Sequence, residues 1–351
     1  MSSDRPVGRG LLVALLLLLP GILAADPARG GPRTPVVVAP TTAPVVAATA
    51  APTAAATAGS AAAPTAPVFD GRRAFDWLVH QVELGPRNPG SEGHARLRAG
   101  LRAHADSLGL RHAEDVFRAT DPLSGQEREY ASVVISAGPV GDPRVWIGAH
   151  YDTRPVSDLD PDPARRGEPL PGANDGASGT AVLLHLAELL AAAPPPVGVD
   201  LIFFDGEDSG RAGEPRTFCL GSQHLASNLG SFASPLRGRP LGLVVLDMVG
   251  ERGVSIPREG YSARYAPAWT SAVFRRAAEL GVSALRDEPG PPVYDDHVPF
   301  LEAGIPAVDL IDFDFPQWHT TADTPAVCSA ASLEQVGRLV LSICQDPPEQ
   351  R

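Results

Sequence analysis

Residues 199–208 read Val-Asp-Leu-Ile-Phe-Phe-Asp-Gly-Glu-Asp. From Val199 to Phe204 the run is apolar without alternation apart from Asp200, the pattern of a strand covered on both faces. Two adjacent acids, Glu207 and Asp208, come straight after it. Working outward, Ser178 to Ala193 is a strong helix with Val182, Leu183, Leu186, Leu189 and Leu190 at helical spacing, closed by Pro194-Pro195-Pro196. Ala131–Ala137 and Val145–Ala149 are short β-branched runs on either side of a turn at 138–143, and they read as neighbouring strands. Downstream, Leu220–Leu229 is helical, Leu241–Leu246 a strand, Ala268–Leu280 a helix, Ala307–Ile311 a short strand and Leu333–Cys344 a closing helix. Two helices come first: Phe75–Leu84, ended by Pro86 and Pro89, and a second opened at Ser91 and stopped by Gly109. Strands alternating with helices predict an α/β fold, a three-layer αβα sandwich on a mostly parallel sheet. Ligands of such sheets bind beyond the carboxyl ends of the strands.

The ionisable residues collect at those ends. His150 and Asp152 end the strand at Val145–Ala149. Asp175 lies in Asn174-Asp175-Gly176, which alone also reads as a turn. Glu207 and Asp208 cannot both point the same way: one can take a metal while the other carries protons. Asp247 ends Leu243–Leu246, where an unpaired buried charge would be costly. Asp295-Asp296-His297 reads as a helix cap for one acid and a site role for the other. His319 sits beside Trp318 and near Phe315, aromatics that can floor a small pocket. Imidazole nitrogen and carboxylate oxygen converging from separate loops suit zinc.

Composition bounds the rest. The net charge of −12 disfavours nucleic acid and anionic membrane as partners. Residues 1–25 have a basic start and an apolar run, Leu11 to Leu23, too short for a comfortable membrane span; they read as a signal peptide, with an uncleaved N-terminal anchor as the alternative. Residues 26–67 are Ala, Pro and Thr with hardly any charge, a disordered linker by composition. Residues 68–346 then form the expected catalytic domain. Cys219, Cys328 and Cys344 are three, so one thiol is left over; the sequence allows a Cys219–Cys328 bridge without requiring it.

Together these motifs resemble the M28 family of zinc peptidases, and within it the glutaminyl-peptide cyclotransferases. Ala149-His150-Tyr151-Asp152, Phe203-Phe204-Asp205-Gly206-Glu207-Asp208, Leu220-Gly221-Ser222-Gln223-His224, Asp295-Asp296-His297-Val298-Pro299-Phe300 and Trp318-His319-Thr320 carry the likeness. The resemblance implies one zinc held by Asp175, Asp208 and His319, with Glu207 as general acid/base. It implies Asp247 and Asp295 as carboxylates sharing protons, and Phe315 and Trp318 as the substrate pocket. It also implies cyclisation of N-terminal glutamine on peptides or proteins; with the leader, the expectation is an exported monomer, secreted or periplasmic. The related two-zinc aminopeptidases would add His150 and Asp247 on a second metal. The chain departs from the animal cyclases at three places: Asp208 where they carry Glu, Asp309 where they carry His, and no Trp between Ser209 and Arg216.

Overall fold

The structure, a computed structural model, describes residues 67–349 apart from 142, 232, 233 and 237. The expected leader and all but the last residue of the expected linker lie outside the described residues. Among the described residues eight strands form: β1 (Arg111–Thr120), β2 (Glu127–Ala137), β3 (Arg144–His150), β4 (Gly198–Phe204), β5 (Leu243–Asp247), β6 (Ile256–Arg258), β7 (Leu285–Pro289) and β8 (Ala307–Ile311). The helices are α1 (Gly71–Glu83), α2 (Glu92–Ser107), α3 (Ala177–Ala192), α4 (Leu220–Ser227), α5 (Gly260–Tyr265), α6 (Pro267–Glu279), α7 (His297–Glu302) and α8 (Ala330–Gln345).

The main sheet has the order β1-β2-β4-β3-β5-β8, and β6 and β7 make a separate pair. β4, β3, β5 and β8 run parallel, while β2 is antiparallel to both β1 and β4. The expected pairing of β2 with β3 is therefore corrected: β4 lies between them. Ala137 sits opposite Val199 and Arg144 opposite Gly198, so the turn at 138–143 straddles the entry to β4. A Cβ on Gly138 would stand 2.5 Å from the Val197 carbonyl oxygen, so that turn rests directly on the segment leading into β4.

Side chains alternate across each strand, and this period of two divides the core. Ile135, Val145, Ile147, Leu201, Phe203, Val244, Leu246, Val308 and Leu310 face a layer that includes α1, α3 and α8. Val134, Trp146, Ile202, Phe204, Leu243, Val245 and Ala307 face the opposite layer, where Leu225 of α4 and Phe300 of α7 cover them. Burying both faces makes β3, β4, β5 and β8 buried at every position. α3 approaches the sheet closely because Gly179 lacks a side chain: a Cβ there would stand 2.2 Å from the Leu246 carbonyl oxygen. No helix among the described residues is long and apolar enough to cross a membrane. The three cysteines are buried and free, so the Cys219–Cys328 bridge allowed by the sequence is not formed.

Candidate metal centre and its acids

The parallel strands deliver His150 from the end of β3 and Asp247 from the end of β5, with Glu207 and Asp208 just beyond β4. Asp175 comes from the loop before α3 and His319 from the loop after β8. The structure brings all six to one place. Ligand atoms of Asp175, Asp208 and His319 lie within 4.8 Å of one another, and so do those of His150, Asp175 and Asp247. His150 Nε2 is 3.1 Å from Asp247 Oδ1 and 3.2 Å from Asp175 Oδ1, and His319 Nε2 is 3.4 Å from Asp208 Oδ1. A Cβ on Gly176 would meet the His150 ring at 2.5 Å, so the bare backbone after Asp175 makes room for that imidazole.

A surrounding layer aims these groups. Arg154 is buried, pairs with Asp158 through two hydrogen bonds of 2.9 and 2.7 Å, and donates to Asp208 Oδ1 at 3.2 Å. Asp158 Oδ1 is in turn 3.2 Å from His319 Nδ1, so one guanidinium braces two candidate ligands. Asp152 accepts the backbone N–H groups of Glu207 and Asp208 at 3.1 and 3.2 Å. Asp323 accepts those of Asn174 and Asp175 at 2.8 and 3.1 Å. Such outer contacts fix the orientation of inner ones. Arg154, Asp158 and Asp323 escape sequence reasoning because they stand in loops without periodicity; the Pro- and Asp-rich stretch after His150 is the one signal for Asp158.

The electrostatics separate the two adjacent acids. Burial pushes the Glu207 carboxyl well above the usual carboxylate range; His150 opposes this, and Asp208, Asp295 and Asp296 add to it. Burial also works to raise Asp208, yet His319 and Arg154 outweigh it and hold that carboxyl below its ordinary value. Burial acts to lower the His319 imidazolium, but Asp208, Asp158 and Asp175 raise it to about 9. Asp295 is raised to about 6, by burial first and by the Asp247 carboxylate second. Neighbouring carboxyls with diverging values mark acid/base sites.

Among the described residues three non-glycine residues adopt left-handed backbone, and all three border this place: Cys219 (φ 58°), Met248 (φ 48°) and His319 (φ 55°). That conformation costs an L-residue about 1–2 kcal/mol, and outliers of this kind gather at functional sites. Trp318 lies against His319 with ring centroids 4.1 Å apart. Phe315 is buried under the site with Met248 and Ile311. The aromatic that faces solvent is Phe313, 39% exposed and 4.9 Å from Trp318. Behind Asp295, a buried group of His297, Asp309 and Glu259 continues away from the site, with His297 Nε2 3.0 Å from Glu259 Oε2.

The donor set fits a divalent cation. Asp208 Oδ2 and His150 Nδ1 are buried without hydrogen-bond partners. Several buried carboxylates within a few ångströms repel one another, and unpaired buried charge is costly. A cation at either group of three removes that cost, and mixed nitrogen and oxygen donors suit zinc.

A mostly parallel sheet with carboxylates and imidazoles gathered beyond its strand ends defines an α/β fold with a candidate metal site. The description peptidase family M28 matches residues 132–344, and this chain belongs to that family. A glutaminyl-peptide cyclotransferase-like protein of Mus musculus is 31% identical over 278 residues, covering 72% of this chain and 70% of that protein. Glutaminyl cyclase of Bacteroides thetaiotaomicron, solved with N-acetylhistamine, superposes with a TM-score of 0.75 at 30% identity, covering 80% of this chain and 99% of that one. A Zn-dependent exopeptidase of Parabacteroides distasonis superposes with a TM-score of 0.76 at 30% identity, covering 80% and 100%.

Proposed function

We propose that this chain is a zinc-dependent acyltransferase that cyclises N-terminal glutamine of peptides or proteins to pyroglutamate and releases ammonia. The observation that carries this reading is the position of Asp295. It stands with Glu207 in one group of donor atoms and against the charge of Asp247. The Asp247 charge favours a proton on Asp295, and a proton shared between the two would leave Asp247 without the free carboxylate that a second metal needs.

Asp175, Asp208 and His319 would hold one zinc, which when bound supplies Lewis-acid polarisation of the γ-amide carbonyl. Glu207 takes the proton of the substrate α-amine and returns it to the leaving ammonia. The amine attacks within its own molecule, and Trp318 with the neighbouring aromatics holds the bent side chain in reach. Arg154 and Asp158 keep Asp208 and His319 aimed. Residues 68–346 form the catalytic domain, exported behind the 1–25 leader and set off by the 26–67 linker.

The second reading, a two-metal aminopeptidase, is favoured by one observation: His150, Asp175 and Asp247 also converge. One assay separates the two. Glutamine-initiated and leucine-initiated peptides are incubated with the protein, and ammonia, pyroglutamyl product and free amino acid are measured. Ammonia and pyroglutamyl peptide are expected, with little free leucine. Rapid release of leucine with glutamine peptides untouched would overturn the cyclase reading.

A further inference from the structure

We propose that Glu207, Cys219 and Asp295 form an inhibitory binding site for a thiophilic divalent cation, Cd2+ or excess Zn2+, beside the Asp175–Asp208–His319 set. The three ligand atoms lie within 4.8 Å of one another. Cys219 Sγ is 3.5 Å from Glu207 Oε1. Metal bonds of about 2.3 Å to sulfur and about 2.0–2.2 Å to oxygen put two ligand atoms about 3.5 Å apart across a tetrahedral ion, so this pair already has the required spacing. The third ligand is open as well: Asp295 is 2% exposed, and its Oδ2 has no hydrogen-bond partner. Access comes through Glu207, whose side chain is 12% exposed while Cys219 is fully buried.

The backbone holds the thiol there. Cys219 sits in left-handed conformation at the N-terminus of α4, and its N–H donates to the Glu207 carbonyl oxygen at 2.9 Å. Main chain and side chain of Cys219 thus both meet Glu207. Neither Cys328 nor Cys344 belongs to a group of three donor residues among the described residues. A thiolate with two carboxylates selects a softer cation than magnesium or calcium. On binding, the S–H bond and the O–H bond of a protonated Glu207 break, sulfur–metal and oxygen–metal bonds form and the protons leave to solvent, with nothing oxidised or reduced. The Glu207 carboxylate, once bound, no longer exchanges protons. Binding stands on donor geometry, whereas inhibition rests on the proton role of Glu207 proposed above.

The test titrates CdCl2 into the zinc-loaded full chain and follows two signals: the ultraviolet thiolate-to-cadmium charge-transfer band and ammonia release from a glutamine peptide. The expected result is a band that saturates at one added equivalent per chain, with turnover falling over the same range. Cys219→Ser should lose the band, and its cadmium inhibition is read relative to its own cadmium-free turnover. Even outer contacts are worth about 10–100-fold in metal affinity, so loss of a ligand should raise the half-inhibiting cadmium concentration by at least about tenfold. A wild-type protein without the band overturns the proposal whatever the variant does. A band that survives in Cys219→Ser overturns it too, assigning the thiolate to another cysteine. A band with undiminished turnover overturns the inhibition and, with it, the proton role of Glu207. If glutamine peptides are no substrate at all, the band still reports on the site.

Discussion

Asp200 and Asp247 are both buried aspartates on parallel strands of one sheet, at opposite ends of it. Asp200, near the start of β4, is saturated. Arg144 pairs with it through two nitrogens, Trp146 Nε1 donates at 3.0 Å and Ser136 Oγ donates at 2.5 Å. Asp247, at the end of β5, meets the His150 ring and otherwise faces acids. Burial raises its carboxyl, His150 opposes the rise, and Asp175 and Asp208 add to it. The sheet is the same and the residue is the same; the partners differ. A buried acid closed off by donors serves the fold, while buried acids crowded together without cations describe a place made to receive one.

That contrast can be broken by experiment. The largest effect is expected at the crowded end. His319→Ala removes one of three donors, and zinc content by elemental analysis and turnover should be lost together. Retention of both would mean that the metal sits elsewhere. Glu207→Gln comes next: turnover should fall about 10²–10⁴-fold with zinc retained. Loss of zinc in that variant, with Asp208→Asn unaffected, would exchange the roles of the two neighbours.

At the saturated end the effect should fall on stability and spare chemistry. Asp200→Ala strands a buried guanidinium, and breaking a buried pair from one side costs about 3–5 kcal/mol. The urea midpoint should drop accordingly, while turnover per folded molecule is kept. A matching loss of turnover would show that the two ends are not independent. The smallest effect belongs to an acid of a third kind. Glu188 on α3 is partly exposed and bonded by Arg73, His185 and Trp77. Burial works to raise its carboxyl, but those bonds hold it down to about 2, from an ordinary 4.5. Its folded value lies below its unfolded one, so its stabilisation is present above about pH 4.5 and is lost as pH falls toward 2. Glu188→Gln should therefore destabilise by about 1 kcal/mol or less near neutrality, with the difference closing by pH 2 in thermal melts.

How much of this was legible in advance depends on whether a signal is local. β4 and α3 announce themselves, because burial leaves a largely apolar run in each, with a proline stop after α3. β1 does not: it is a largely exposed edge strand, Arg111–Thr120, in which exposed positions alternate with partly buried ones and charge falls on both kinds. The β2–β3 pairing was misread because a short turn is good evidence for adjacency, whereas the insertion of a later strand leaves no mark on either. The inner donors His150, Asp175, Glu207, Asp208, Asp247 and His319 were readable as acids and imidazoles at strand ends. Arg154 and Asp158 were not, because what they do exists only once the loops after β3 and β8 meet. Phe315, expected as a pocket floor, is buried with Met248 and Ile311, and Phe313 beside it takes an exposed position that no local pattern marks.

The placement of β4 also bears on how the chain must be made. β2 and β3 leave the ribosome joined by residues 138–143, a connection short enough for a hairpin, and each offers an open hydrogen-bonding edge. Their proper neighbour is completed only at Phe204, after the whole of α3 has been synthesised. Until then the nascent chain has every local reason to close the wrong hairpin, and β4 can enter only where those two edges have stayed apart. Long-range strand insertion is slow and leaves intermediates exposed to misassembly. The interval between His150 and Phe204 is thus the stretch of synthesis over which two finished strands wait for the neighbour that separates them.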